Sequence, residues 1–151
     1  MIDRGAIGEV TGCNNILIER GRLQFFARVT SQSDPIYSDV DAARATGHRD
    51  LPVPPTLMLG FETETGDLFS TLDRLNIDLR NVLHGEQGFT YHQMAYAGDL
   101  LQFETRIADI YSKKEGQLEF IVRHTKVTRG ADHIADLRSV MVVVQQQGGR
   151  T

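Results

Sequence analysis

The sequence predicts an α+β domain in which an antiparallel sheet wraps a single buried helix. Three observations predict it. Helical spacing is confined to the first half of the chain, hairpin-linked alternation fills the second, and Thr56-Leu57-Met58-Leu59-Gly60-Phe61 is apolar nearly all round. A helix without a polar face has to be covered on every side, so it belongs inside the curl of the sheet.

The elements follow in order. Ile16-Leu17-Ile18, bounded by Asn and Gly, reads as a strand over 14–19. Leu23, Phe26 and Ala27 recur at i, i+3, i+4 and define one face of a helix over 23–30. Ser33-Asp34-Pro35 stops that helix, because Pro disfavours helical geometry at the residue before it. Asp39 caps a second short helix that continues through Ala42 and Ala43, with acidic side chains at its positive end. Pro54-Pro55 then leads into the buried helix, with Pro55 suited to the first turn, where an N–H has no partner anyway. Residues 66–72 add a turn or two of helix, and 76–83 read as connecting chain.

Strands fill the rest. Over 84–94, Phe89, Tyr91 and Gln93 alternate with Thr90 and His92, and Ala97-Gly98-Asp99 is a turn. Leu101, Phe103, Thr105 and Ile107 alternate with Gln102, Glu104 and Arg106, the pattern of a strand with one wet face. Lys114-Glu115-Gly116 marks a hairpin, and Leu118, Phe120 and Val122 begin the next strand. Arg129-Gly130-Ala131-Asp132 turns the chain into a last strand over 134–144, whose continuous apolar end predicts burial on both faces. Residues 1–147 make one domain, and 148–151 have nothing to bury and are expected to be disordered.

Composition excludes several classes. The net charge is −4 with Lys and Arg scattered, whereas a nucleic-acid binder clusters them. The longest apolar run, Val140-Met141-Val142-Val143-Val144, is far short of the ~20 residues that span a bilayer. The opening MIDRGAIGEV lacks the continuous apolar core of a secretory leader, so a cytoplasmic location is expected. The single Cys13 cannot form an internal disulfide, and with nothing basic beside it in GCNN it reads as a packing residue. There is no CxxC, no HxxxH and no His/Asp cluster along the sequence. His92, His124 and His133 stand alone on strands, so neither a metal nor a resident cofactor is expected.

One order of residues carries a likeness. Phe26-Ala27, a turn, Asp34-Pro35-Ile36-Tyr37-Ser38-Asp39, Ala42-Ala43 and then a buried helix resembles the MaoC-like (R)-specific enoyl-thioester hydratase/dehydratase family. More narrowly, it is similar to that family's N-terminal-type dehydratase domain, a hot-dog fold. ILIERGRLQFFA and LHGEQGFTYHQMAYAGDLL extend the likeness from about residue 9 to about residue 145. In catalytic members the turn reads Gly-Asp-x-Asn-Pro-Leu-His-x-Asp, and the Asp and His together activate water. The resemblance puts that Gly at Ser31, the catalytic Asp at Gln32, the Asn at Asp34, the Pro at Pro35, the catalytic His at Tyr37 and the last Asp at Asp39. It implies substrate contacts from Gln32, Asp34, Tyr37, Pro55, Thr56, Leu57 and His84. It also implies a thioester delivered on CoA or acyl carrier protein.

The chemistry of that family is absent from these positions. Hydration of an enoyl thioester needs a base for water, an acid for the α-carbon and donors for the thioester oxygen. Gln32 is an amide and accepts no proton. Tyr37 has a reference pKa of about 10, poorly matched to base work at neutral pH. The resemblance takes the donors from the start of the buried helix, where Pro54 and Pro55 lack an N–H and Thr56 and Leu57 keep theirs. Four groups are candidate substitutes. Asp34 otherwise reads as a turn-former, and His48, following Gly47, as a helix C-terminal residue facing the negative dipole. His84 and Glu86, two apart on a strand, share a face and read either as a strand start or as a pair lining the channel.

Three readings stay open at this point. The chain is a subunit without its own dyad, building the acyl pocket for a second hot-dog chain. Alternatively it is a self-sufficient hydratase or thioesterase with relocated groups, or a non-enzymatic acyl-CoA-binding protein. Each implies a homodimer or heterodimer, because sheet edges and a half-built pocket are closed by pairing.

Overall fold

The computed structural model describes residues 1–145, so the expected tail at 148–151 lies outside the described residues. Five strands, β1 (Val10–Leu17), β2 (Val82–Tyr91), β3 (Leu100–Lys113), β4 (Leu118–Arg129) and β5 (Asp132–Val144), form one antiparallel sheet in the order β1-β3-β4-β5-β2. Four helices accompany it: α1 (Arg20–Val29), α2 (Val40–Ala45), α3 (Leu57–Glu64) and α4 (Asp67–Arg74). The α3 helix is the buried one, but not on every side: Leu57, Met58, Phe61 and Glu62 are buried, Leu59 and Gly60 partly so, and Thr63 and Glu64 are exposed. Leu57, Met58 and Phe61 pack into a single cluster with Leu101, Phe103, Val127 and Leu137 of the sheet. Phe61 meets Phe103 edge-on, with centroids 6.5 Å apart, a geometry that adds to the apolar burial.

Several boundaries differ from the sequence reading, each for a physical reason. The β1 ladder runs back to Val10, which pairs with Arg106. The polar residues there give no alternation because packing sets their place: a Cβ on Gly12 would come within 1.8 Å of Asp67 Oδ1 on α4. The expected extra turn after α3 is the separate helix α4, divided off by Gly66 at φ +76°. The connecting chain contains a 3-10 turn, Leu79–Asn81, capped by Asp78, and β2 starts directly after it. A further 3-10 turn at Arg4–Ala6 helps place Ile2 and Ala6 in a second apolar cluster with Leu72, Ile107 and Ile121.

The buried helix also carries a charge. Glu62 is 3 % exposed; it accepts a hydrogen bond from Thr125 Oγ1 at 2.6 Å, and Thr125 is in turn bonded to Thr105 at 2.8 Å. Arg123 Nη2 stands 3.8 Å from the same carboxylate. Burial pulls the Arg123 guanidinium below its ordinary pKa, while Glu62 and then Asp67 push it back up. Asp67 itself accepts from Asn14 Nδ2 at 2.7 Å. Two carboxylates and one guanidinium thus share the interior between the helices and the sheet.

A second polar knot ties the loops around α3. Asp99, 5 % exposed, accepts from Arg49, from Arg129 Nη1 at 2.9 Å and from the Tyr96 N–H at 3.0 Å. It therefore joins the α2–α3 loop, the β2–β3 turn and the β4–β5 hairpin. Burial would raise its pKa, but the hydrogen bonds from Arg49, the Tyr96 N–H and Arg129 outweigh burial and hold it below the usual carboxylate range.

Two predictions follow from these charges. Arg123→Met leaves Glu62 and Asp67 buried without a counter-charge and is expected to cost about 3–5 kcal/mol in denaturant unfolding; a loss under about 1 kcal/mol would show that the guanidinium is dispensable. Asp99 has a depressed folded pKa, so its contribution is present above the unfolded value of about 3.9 and is lost as pH falls through the folded value. Asp99→Asn is expected to destabilise the chain by about 1.5–3 kcal/mol at pH 7, with the gap to wild type closing in acid. A gap of constant size down to the acid limit would contradict this.

Candidate functional site

The cleft that corresponds to the expected site forms where the end of α1 meets the start of α3. It has a volume of about 340 Å³ and is lined by Phe26, Thr30, Ser31, Gln32, Pro54, Pro55 and Thr56. Its floor is set by the way α1 stops. The Gln32 N–H donates to Ala27 O at 2.8 Å and the Ser31 N–H to Arg28 O at 3.2 Å. These are the two bonds of a Schellman closure, which requires a left-handed residue between them. Ser31 supplies it at φ +55°, the position where the resemblance places the family's glycine. The same closure ends α2, with Gly47 at φ +94° and the His48 N–H on Ala43 O at 3.1 Å.

Several polar groups around the cleft are already engaged. Gln32 Oε1 accepts from the Asp34 N–H at 3.1 Å, so the amide that stands in for a carboxylate braces the turn. Thr30 Oγ1 donates to Phe26 O at 2.7 Å. The Leu57 N–H, an expected thioester donor, is bonded to Pro54 O at 3.0 Å, and the Leu57 side chain is buried in the core. The Thr56 N–H is the remaining donor of the two. Tyr91 of β2, which the sequence did not single out, donates its hydroxyl to Pro55 O and fastens the cleft rim to the sheet. Burial pushes the Tyr91 phenol up to about 12, so it stays neutral. No residue lining this cleft carries a carboxylate or an imidazole.

The other candidates lie elsewhere. Asp34 caps the 3-10 turn Pro35–Tyr37 by accepting from the Ile36 N–H at 3.1 Å, and Tyr37, half-buried in that turn, is not among the cleft-lining residues. Asp39 caps α2 through the N–H groups of Asp41 and Ala42, as expected. His48 Nδ1 is 3.3 Å from the Tyr96 hydroxyl. The expected shared face of His84 and Glu86 is corrected: His84 pairs with Met141 and Glu86 with the next residue, Val140. The bulge at Gly85 inserts one residue and sends the two side chains to opposite faces. Glu86 pairs with Arg138 at 2.6 Å, while His84 lines a cavity of about 60 Å³ with Glu62, Arg123 and Ser139. That space suits a few water molecules and is too small for a thioester. Arg123 Nε and Nη2 and Ser139 Oγ make no hydrogen bond to protein there, which fits solvation.

Residues 5–137 match the family model described as FAS1-like, dehydratase domain region. A UPF0336 protein of Leifsonia xyli subsp. xyli is 31% identical over 128 residues, which span 84% of this chain and 85% of that one. A MaoC-like dehydratase of known structure superposes with a TM-score of 0.82 at 19% identity, covering 93% of this chain and 42% of the other. The C-terminally truncated HadBC (3R-hydroxyacyl-ACP dehydratase) complex from Mycobacterium tuberculosis gives 0.74 at 17% identity, over 85% and 90% of the two chains. The structural likenesses establish the fold: an antiparallel hot-dog sheet around a buried helix.

Ser31 holds a left-handed conformation that costs an L-residue about 1–2 kcal/mol. Ser31→Gly is expected to raise stability by about 1 kcal/mol, read as a higher melting temperature with an unchanged fold. A lower melting temperature would mean that the Ser31 side chain contributes more than its backbone strain removes.

Proposed function

The chain belongs to the FAS1-like dehydratase domain region, a MaoC-like hot-dog dehydratase domain, and from that premise we propose that it is the acyl-binding half of an acyl-thioester hydratase/dehydratase. A second hot-dog chain brings the carboxylate and the imidazole that move protons. The substrate is an enoyl or 3-hydroxyacyl thioester carried on CoA or acyl carrier protein, and no other cofactor takes part.

The observation that carries this reading is the chemistry of the cleft. Its position at the start of the buried helix suits a thioester. Yet its walls offer an amide, hydroxyls, a phenyl ring and two prolines, with Gln32 and Thr30 already bonded to backbone. Nothing there takes a proton from water at neutral pH. The Tyr91 phenol on the rim is kept neutral by burial, which pushes it up to about 12, and is bonded to Pro55 O. A symmetric partner would repeat the same deficiency, so the active assembly is a heterodimer. The HadBC neighbour is itself a complex, which supports a two-chain assembly. A docking edge is present: β2 is an outer strand of the sheet and carries the exposed Leu83. Unpaired strand edges of this kind are closed by a partner.

The test is hydration of crotonyl-CoA and longer trans-2-enoyl-CoAs, followed by loss of the conjugated thioester absorbance. The chain alone is expected to show no turnover above buffer. Turnover appears when it is co-purified with a hot-dog chain carrying Gly-Asp-x-Asn-Pro-x-His. Hydration by the isolated chain at ordinary enzymatic rates, about 1 s⁻¹ or faster, would overturn the proposal.

A further inference from the structure

His92 and Asp136 are 44 residues apart in the chain, and the sequence reads His92 and His133 as isolated strand residues. The fold corrects this by bringing all three side chains together. His92 directly follows β2, and its N–H and that of Gln93 both donate to Ile134 O, at 2.9 and 3.2 Å. Those bonds pin the end of the outer strand against β5. Within β5, His133 and Asp136 are three residues apart and would point to opposite faces of a regular strand. A bulge prevents that: Thr128 pairs with His133, whereas the adjacent Val127 pairs with Ala135. The inserted residue, Ile134, turns inward together with Ala135, both 0% exposed, and His133 and Asp136 return to one side.

The resulting geometry is specific. His92 Nε2 lies 2.7 Å from Asp136 Oδ2, and His133 Nε2 lies 2.8 Å from Asp136 Oδ1. The two imidazole rings are 4.3 Å apart at 37°. One donor atom from each of the three residues lies within 4.8 Å of the other two.

We propose that His92, His133 and Asp136 form a binding site for a divalent transition-metal ion of the zinc class, at the junction of β2 and β5. Two neutral imidazoles and one carboxylate are a nitrogen and oxygen set that Zn²⁺ and its neighbours in the series accept. Tetrahedral bonds of about 2.0–2.2 Å separate donor atoms by roughly 3.4 Å. The present hydrogen-bond distances of 2.7 and 2.8 Å therefore open by about 0.6–0.7 Å on binding, within reach of rotamer adjustment. The Asp136 carboxylate gives the cluster an anionic ligand, so charge favours a cation there. Lys126, in register with Asp136 on β4, is exposed and makes no ion pair with it among the described residues. The His92 and Asp136 side chains are 39% and 48% exposed, so at least one coordination position faces solvent. A bound ion cross-links the end of an outer strand to an interior one. This inference is independent of the function proposed above.

The test uses the untagged chain, stripped with chelator and titrated with Zn²⁺ by calorimetry and with Co²⁺ by visible absorption. The expected result is one saturable site per chain, with Co²⁺ d–d bands of a low-coordinate nitrogen and oxygen environment and a Zn²⁺-dependent rise in melting temperature. His92→Ala, His133→Ala and Asp136→Asn are each expected to weaken binding at least roughly tenfold, while His124→Ala leaves it unchanged. Circular dichroism confirms that each variant is folded before titration. No saturable binding by the folded wild-type chain, or binding that all three substitutions leave intact, would overturn the proposal.

Discussion

The burial of α3 is the constraint on which the rest of the structure depends. Leu57, Met58, Phe61 and the Glu62 carboxylate of this helix all point inward, and only Thr63 and Glu64 at its end are exposed. The sheet must therefore curl around it, and the interior must supply both apolar area and a counter-charge. Phe103, Val127 and Leu137 supply the first, and Thr125 with Arg123 the second. Once α3 is fixed, its N-terminal end is fixed too. The α1 closure then has one place to lie, against Pro54 and Pro55, and the cleft follows from that contact.

Much of this was legible in the sequence, and the failures share a cause. The apolar helix, the alternating strand β3 and the Asp39 cap are local signals, written in spacing of a few residues. The start of β4 was legible only as a strand, because it buries Glu119, Ile121 and Arg123 and leaves Leu118 and Phe120 half-buried. What escaped was set by contacts between distant segments. β1 starts early because Gly12 lies beneath Asp67. His84 and Glu86 diverge, and His133 and Asp136 converge, because of single-residue bulges at Gly85 and Ile134. A bulge changes the parity of a strand, so every inference drawn from even or odd spacing across it reverses. A glycine between His84 and Glu86 was the available hint for the first. Ile134 and Ala135, consecutive and both buried, give no such hint for the second.

The candidate site shows the same split. Its scaffold was readable because the left-handed position at Ser31 and the prolines before α3 are backbone requirements with residue signatures. The bracing of that scaffold was not. Gln32 on the Asp34 N–H, the Leu57 N–H on Pro54 O and Tyr91 on Pro55 O are all contacts to backbone, which the residue types alone leave unspecified.

Those contacts bear on what the cleft is for. A reacting site keeps polar atoms free, so that they are available to substrate and to developing charge. Here Gln32 Oε1, Thr30 Oγ1, the Leu57 N–H and the Tyr91 hydroxyl are spent on holding the walls in place, and the Thr56 N–H remains as a donor. Among the described residues, buried polar atoms without a hydrogen-bond partner sit instead on Asp67 of α4 and in a row across the sheet interior, on Arg123, Ser139 and Gln87, which occupy adjacent register positions on β4, β5 and β2. Arg123 and Ser139 of that row line a space suited to water rather than to an acyl chain. Walls braced in this way lower the ordering cost of binding a flexible chain and leave the barrier to proton transfer untouched. The same arrangement that makes the cleft a good holder therefore makes it, alone, a poor catalyst, which is why the proposed function divides the two tasks between chains.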